Sequence, residues 1–463
     1  MASKTPLIPL WDDMNYYKHQ LVGIKWMLKR EIKGVTVETE YGKTKVHGGL
    51  QCDDMGLGKT IQTMAIIKNN LVDRTLIIAP LAMLETWQNV AVKSGFKVFK
   101  VESKEWKKIS GSYGKQSIYI AGYERLVASP SLTCDGFDRI ILDEAHKIRN
   151  VDGSTAKAIR RINAHYRWAL TGTPIVNKKK DLISLFKFIG IKTGFKNLWN
   201  PEYNSLVEKL VIHRSMDSIR LIVDDAPPVP IIEHVALDFV SKKEEEFYQG
   251  IQGTIDHLLN KMKRDILSNT EKFVLLMRLR QLSVHPQTYI NAMRRSDREY
   301  ERDDWSDVPT KVLKLKKDLK DEVPKGHRFI VFCQFVDEMM LIREELEKDR
   351  HVVEIYYGGM NQEERTKALK AGADVLLIQI QAGGVGLNLQ EFDRVIFMSP
   401  WWTSALIDQA IARTVRMGQK KVVKVQFYML AEEETDNIDK MMMEKADTKR
   451  EILKDIFEIA YNK

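Results

Sequence analysis

The chain has 463 residues, of which 44% are apolar and 29% charged, and 72 Lys+Arg outweigh 63 Asp+Glu to a formal net charge of +9. This supports two or three ordinary globular domains and suits a polyanionic partner. No run of about 18 apolar residues spans a membrane, the start MASKTPLIPLWDD lacks a secretory pattern, and the scattered Cys52, Cys134 and Cys333 argue against a disulfide framework or a zinc site.

Residues Trp11–Lys29 place Leu21, Ile24, Met27 and Leu28 at the spacing of one helix face. His19-Gln20 stands just before that face, and Gln20 is either a solvated cap residue or a reader of an adenine edge through its amide. The stretch Gly48–Met64, GGLQCDDMGLGKTIQTM, follows a β-like approach, turns at Gly56 and Gly58, and enters a helix through Lys59-Thr60. A loop of Asp53, Asp54, Met55, Gly56, Leu57 and Gly58 offers backbone N–H groups that can cradle phosphates at a helix N-terminus. Lys59 would reach the β- and γ-phosphates of ATP, and the Thr60 hydroxyl would hold Mg²⁺. The strict pattern has Gly five residues before Gly58, where this chain has Asp53, and a plain glycine turn is the alternative.

The runs Thr75–Pro80, Ser117–Ala121, Arg139–Leu142 and Tyr166–Leu170 read as buried parallel strands alternating with helices such as Leu81–Ser94. The third of them ends in Asp143-Glu144. At that edge of an open α/β sheet, Asp143 can hold Mg²⁺ and Glu144 can orient and deprotonate the attacking water, the alternative being a helix cap. Thr171-Gly172-Thr173 after the next strand can relay the state of the phosphates or simply make a tight turn. Lys178–Lys180 is a candidate backbone contact or a solvated run.

Asp181–Gly190 continues one helix, Ala226–Pro230 is a stiff break, and Lys242–Arg302 is charged and helical. A second α/β rhythm follows, with strands His327–Cys333, Asp374–Ile378 and Arg394–Met398 and a helix at Gln362–Ala371. The glycine turn Ala382–Gly386 lets backbone approach a phosphate: Gly383 and Gly384 a nucleic-acid phosphate, Gly386 the nucleotide, unless it is a tight turn alone. Arg413 and Arg416, three apart, would project from one helix face, the alternative being an exposed basic helix edge. A guanidinium pair of this kind stabilises charge on a transferring phosphoryl group when it faces a triphosphate on another lobe.

DDMGLGKTIQT, DEAHKIRN and ALTGTPIVN resemble motifs I, II and III of superfamily two helicases, and more narrowly the SWI/SNF-like DNA translocases. QAIARTVRMGQ resembles motif VI of that family, and MRLRQLSVHP a stretch of its helical insertion. The family also has Asp where Asp53 stands, and Gln20 matches its adenine-reading glutamine. PLAMLETW and AGYERL resemble motifs Ia and Ib, which makes Pro80, Trp87 and Tyr123 nucleic-acid contacts. Two positions depart: the family usually has His at Val415 and a basic residue at Gln381.

The resemblance implies an α/β fold of two RecA-like parallel-sheet lobes in tandem, 1–205 and 309–463, with a helical insertion at 206–308 and ATP in the cleft between the lobes. It implies an ATP- and Mg²⁺-dependent monomeric motor, stimulated by double-stranded DNA, that translocates and remodels protein–DNA complexes such as nucleosomes or polymerase. No membrane partner is expected, and the compartment is intracellular, the nucleus or another that contains DNA (the cytoplasm for a viral or bacterial member). A strand-separating DNA or RNA helicase is the first alternative, and a nucleotide-gated DNA clamp with weak ATPase the second.

Overall fold

A computed structural model describes residues 6–101, 116–128, 136–175, 181–193, 201–261, 269–383, 387–431 and 437–448. The chain forms two compact units, the first running to Ala226 and the second spanning Pro227–Thr448.

The first unit contains β1 (Val35–Thr39), β2 (Gly42–Gln51), β3 (Arg74–Ala79), β4 (Lys97–Lys100), β5 (Ser117–Gly122), β6 (Phe137–Asp143), β7 (Ala164–Leu170) and β8 (Val211–Ile212). The sheet order is β1-β2-β7-β6-β3-β5-β4, with β8 also paired to β2. Among the described residues only the β1–β2 hairpin is antiparallel. Helices α1 (Lys18–Lys33), α2 (Lys59–Asn69) and α3 (Leu84–Lys93) cover one face. Side chains of β3 alternate between two cores. Leu76 and Ile78 join Leu142 and Ala121, while Ile77 and Ala79 meet Ile24, Met27, Met64 and Trp87. That two-sided burial is why the strand reads as an unbroken apolar run.

Near the start of β6, Arg139 forms a fully buried pair with Glu31 of α1, Nε to Oε1 at 2.7 Å and Nη2 to Oε2 at 2.6 Å. Trp168 Nε1 and Asn70 Nδ2 donate to the same carboxylate at 2.8 and 2.7 Å, and Arg139 also donates to Thr75 Oγ1 and the Asn70 carbonyl. At the opposite edge the adjacent strands β2, β7, β6, β3 and β5 release the segments beginning at Cys52, Thr171, Glu144, Pro80 and Tyr123. Five motif-bearing loops therefore share the edge where open α/β sheets bind ligands.

The second unit contains β9 (Ile231–Leu237), β10 (Phe329–Cys333), β11 (Val353–Tyr356), β12 (Val375–Gln379), β13 (Arg394–Phe397) and β14 (Lys424–Leu430). They form a fully parallel sheet in the order β11-β12-β10-β13-β14-β9. Helices at Lys242–Lys261, Asn269–Val284 and Pro286–Ser296 bring Phe247, Tyr248, Leu279, Leu282, Tyr289 and Ile290 against Leu430, Ile438 and Met442. Because of that shared apolar core, these helices belong to the second unit. The division at Ala226–Pro227 falls inside the segment 206–308, whose opening part, including β8, belongs to the first unit. Lys311 and Asp439, each 1% exposed, pair at 2.7 Å, and Ser283 and the Leu430 N–H also donate to Asp439.

Candidate active site

The loop after β2 turns through Gly56 and Gly58, at φ +84° and +76°. Both angles lie in the left-handed region that glycine occupies without strain. Gly58 is the N-cap of α2 and makes no side-chain cap bond, and a helix N-terminus of this kind can take an anion. Gln62 N donates to the Gly58 carbonyl at 3.0 Å and its side chain donates to the Leu57 carbonyl at 3.2 Å, holding the loop to the first turn. Leu57 is buried beneath it. Lys59 Nζ lies across the Asp53 and Asp54 carbonyls at 2.7 and 3.2 Å. A Cβ on Gly172 would come within 3.6 Å of that ammonium and 3.3 Å of Met55 Cγ, so the loop after β7 closes directly over the lysine. Thr60 follows, half-buried, in the first turn of α2.

Gln20 is buried, not solvated. Its Oε1 accepts the Tyr17 N–H at 3.1 Å, and a Cβ on Gly58 would come within 2.5 Å of its Nε2. The residue is thus a helix cap and at the same time lies against the glycine turn. His19 beside it brings ring Nε2 to the Leu57 carbonyl at 3.1 Å.

Asp143 ends β6 and is 6% exposed. Its Oδ2 accepts the Trp87 indole N–H at 2.8 Å, its Oδ1 the Glu144 N–H at 3.0 Å, and its carbonyl the Tyr123 hydroxyl at 2.6 Å. Burial first, and the Glu144 charge second, push its carboxyl up to about 6, against the pull of Trp87 and Lys59. Glu144 has φ +50° and ψ +50°, a left-handed backbone that costs a non-glycine residue about 1–3 kcal/mol and gathers at functional sites. Its side chain does not cap the short helix that follows; Oε2 lies 3.4 Å from His146 Nδ1. That imidazole nitrogen is also 3.3 Å from Thr171 Oγ1 and 3.4 Å from Thr173 Oγ1, while Thr171 N donates to the Gln51 carbonyl. The acidic pair, the threonine loop and the end of β2 are thereby physically joined.

Three expected nucleic-acid contacts are corrected. Trp87 is 0% exposed and Tyr123 3%, both committed to Asp143, and Pro80 is buried at the end of β3. The amphipathic Trp87 and Tyr123 side chains suit a nucleic-acid contact and support of Asp143 equally, and only burial distinguishes the two. The exposed residues of that turn are Leu81 and Ala82.

In the second unit, Arg413 and Arg416 do not share a helix face. The helix Ser404–Ile411 ends before them, and both stand in the turns that follow. The turn is held by Leu389 N on the Arg413 carbonyl, Gln419 N on the Arg416 carbonyl and Gln390 Nε2 on the Met417 carbonyl. Burial, and then the charge of Arg413, lower the pKa of Arg416. Val415 fills the apolar core between them, and Gln381 is exposed on the short helix Ile380–Gly383, which ends at the expected Gly383. Gly384, Gly386, Cys134 and Lys178–Lys180 lie outside the described residues.

Arg214 lies outside every motif named in the sequence. It grips Asp53 with two nitrogens, Nε to Oδ1 at 2.9 Å and Nη2 to Oδ2. Burial would raise the Asp53 carboxyl, but Arg214, Lys59 and the Gln62 amide outweigh it and hold the group below its ordinary value. The available signal was Asp53 itself: an acid in place of glycine beneath a phosphate loop calls for a buried cation.

Two family models match the chain, a SNF2-related domain over residues 19–288 and a helicase conserved C-terminal domain over 310–418. The chain is a member of the SNF2-related family. It sits in the SWI/SNF-like branch of helicase superfamily two, and it is an ATP hydrolase. This SNF2-related chain is 28% identical to a probable global transactivator of Orgyia pseudotsugata multicapsid polyhedrosis virus, covering 97% of this chain and 93% of that protein. It is 24% identical to the DNA repair protein RAD5 of Yarrowia lipolytica (95% and 59% covered) and 27% identical to an uncharacterized ATP-dependent helicase of Mycoplasma pneumoniae (88% and 39% covered). It thus spans nearly all of the viral protein but about half of the other two. Among solved structures, a Sulfolobus solfataricus SWI2/SNF2 ATPase core in complex with dsDNA is 23% identical, with 98% of this chain and 95% of that one covered and a TM-score of 0.43.

Proposed function

We propose that this SNF2-related ATPase is a motor stimulated by double-stranded DNA, which translocates along the duplex and remodels protein–DNA complexes. The observation that carries the reading is the convergence of the Gly56–Thr60 loop, Asp143-Glu144 and Thr171–Thr173 at one edge of the first sheet. In this reading the Asp53–Gly58 backbone and Lys59 bind the phosphates, and Gln20 reads the adenine edge. Thr60 and Asp143 would hold Mg²⁺; a hydroxyl and a carboxylate are the hard oxygen donors that this cation takes. Bound there, Mg²⁺ supplies charge neutralisation at the phosphate oxygens. Trp87 and the Glu144 N–H hold the Asp143 carboxylate in one orientation, so it is set before nucleotide arrives.

Glu144 orients the attacking water and takes its proton. His146 lies between that carboxylate and the two threonine hydroxyls, a short path by which the state of the phosphates reaches the loop after β7. Arg413 and Arg416 keep the arginine-finger role that the resemblance implies, which asks only that guanidinium groups reach the phosphoryl oxygens and not that they share a helix. Phosphate-backbone contact falls to the backbone N–H groups of exposed turns such as Leu81-Ala82. The net charge of +9 and relatives named as DNA repair proteins support a DNA partner.

The test is steady-state ATP hydrolysis with Mg²⁺, with duplex DNA, single-stranded DNA or RNA added at matched nucleotide concentration, beside Lys59→Ala. The reading expects the strongest stimulation from duplex, abolished in the variant. Stimulation mainly by single strands or RNA supports a strand-separating helicase, and the absence of any stimulation supports the clamp.

A further inference from the structure

We propose that Arg214 is a positioning residue for the nucleotide site, fixing the phosphate loop to the chain segment Val211–Met216. The inference rests on reading Gly56–Thr60 as a phosphate loop and adds a residue that lies outside every motif of that reading.

One guanidinium serves three elements. It takes both oxygens of Asp53, which is 0% exposed, donates through Nη2 to Gln62 Oε1 at 2.8 Å in α2, and donates through Nη1 to the His19 carbonyl in α1. Gln20, the adenine candidate, is the next residue after His19, so Arg214 ties the phosphate-binding and base-reading ends of the site together. Space is reserved for it. A Cβ on Gly23 of α1 would overlap Gln62 Oε1 and come within 2.5 Å of Arg214 Nη2.

The backbone repeats the arrangement. The pairing of β2 with β8 (Leu50 with Val211, Gln51 with Ile212) continues past the strand end into the loop. Cys52 N donates to the Ile212 carbonyl at 2.7 Å, Asp54 N to the Arg214 carbonyl at 3.0 Å, and Met216 N to Asp54 Oδ2 at 2.8 Å. His213 Nδ1 lies 2.7 Å from the Cys52 carbonyl. The loop is therefore laced along its entry to one passing strand. That strand runs through the helix Met216–Arg220 to Ala226, where the first unit ends, so the chain that leaves the unit is the chain that sets its phosphate loop.

Arginine is required by geometry. Only a planar fork offers two parallel bonds to a carboxylate with a further donor aimed at a carbonyl, and a lysine ammonium keeps the charge but not the directions. The loop touches phosphates in ground and transition states alike, so misplacing it raises KM and Kd together and changes kcat less. A residue that merely stabilised the fold would reduce the amount of active protein and leave Kd alone.

The experiment titrates full-length protein with a fluorescent N-methylanthraniloyl-ADP in Mg²⁺ and measures ATP hydrolysis in parallel. It compares wild type, Arg214→Lys, Asp53→Asn and, as a control, Arg139→Lys at the far edge of the sheet. The expected result is that Arg214→Lys and Asp53→Asn each raise Kd and the KM for ATP by about tenfold, while kcat changes by less than about threefold. Arg139→Lys should lower the melting temperature and leave Kd at the wild-type value. Should Arg214→Lys fail to fold, the near-isosteric Asp53→Asn gives the same readout. An unchanged Kd in a folded Asp53→Asn or Arg214→Lys protein overturns the proposal and leaves the phosphate loop standing. A wild-type protein that binds no probe overturns the phosphate-loop reading and this proposal with it.

Discussion

Among the described residues, the first unit holds two arginine–carboxylate pairs whose acid is fully buried, one toward each edge of the same sheet, and they differ in what surrounds them. Arg139–Glu31 is closed on every side: Trp168 and Asn70 satisfy the acid, and Thr75 and a backbone carbonyl satisfy the base. All of its partners are structural. Arg214–Asp53 uses the same chemistry at the edge where the strands release their loops, and its partners are a phosphate-loop residue, the first turns of α2 and the start of α1. A buried ion pair is weak evidence of net stability in either place, because desolvation offsets much of the attraction. Location relative to the strand ends decides whether such a pair holds a fold together or holds a site in shape.

Removing one arginine separates the two roles. Arg139→Met leaves the Glu31 charge buried with two neutral donors, and should lower unfolding stability by about 3–5 kcal/mol in urea while the KM for ATP stays unchanged. A shifted KM would erase the distinction between the two edges. The converse is Lys59→Ala, which should reduce ATP hydrolysis by about 10²–10³-fold with little change in the urea midpoint.

A third buried acid, in the second unit, extends the comparison to pH. Burial pushes Glu338 up to about 7 against an ordinary 4.5, although the Phe335 and Gln334 N–H groups, Lys311 and Arg280 pull it down. The folded state therefore binds a proton that the unfolded state releases. Its stabilising share is complete below pH 4.5 and is lost as pH rises through about 7. Between those limits wild type should lose about 3 kcal/mol relative to Glu338→Gln, measured by urea unfolding at several pH values. His285, which burial holds neutral down to about pH 4, is present in both proteins and cancels. A stability gap that did not move with pH would place Glu338 ionised beside Arg280.

The smallest expected effect is that of Trp87→Phe, which keeps the ring and removes the donor to Asp143. The Mg²⁺ concentration for half-maximal hydrolysis should rise about tenfold. A tryptophan that only filled the core would leave that concentration where it is.

Legibility followed the range of the interaction. Thr75–Pro80 was readable as a strand, and Arg74–Ala79 is one, because burial on both faces writes itself into consecutive residues. The β9 and β11 strands were not, since IIEHVAL mixes polar residues into an edge strand and VEIY is four residues long. The pair Arg413 and Arg416 was readable as a pair. Its helix was not real, because Leu389, Gln390 and Gln419, not helix periodicity, shape the turn that carries it.

By itself the sequence determined the α/β class, the order of the motifs and the glycine turn into α2, all of which depend on neighbours a few residues apart. The tertiary structure alone decided which side chains meet at the sheet edge. Asp53 and Arg214 are separated by 161 residues, and Trp87 and Asp143 by 56. Such partners are chosen by strand order and by the burial of each loop. A buried indole or guanidinium bonds whichever acid the folded sheet brings beside it, and no local pattern records that choice.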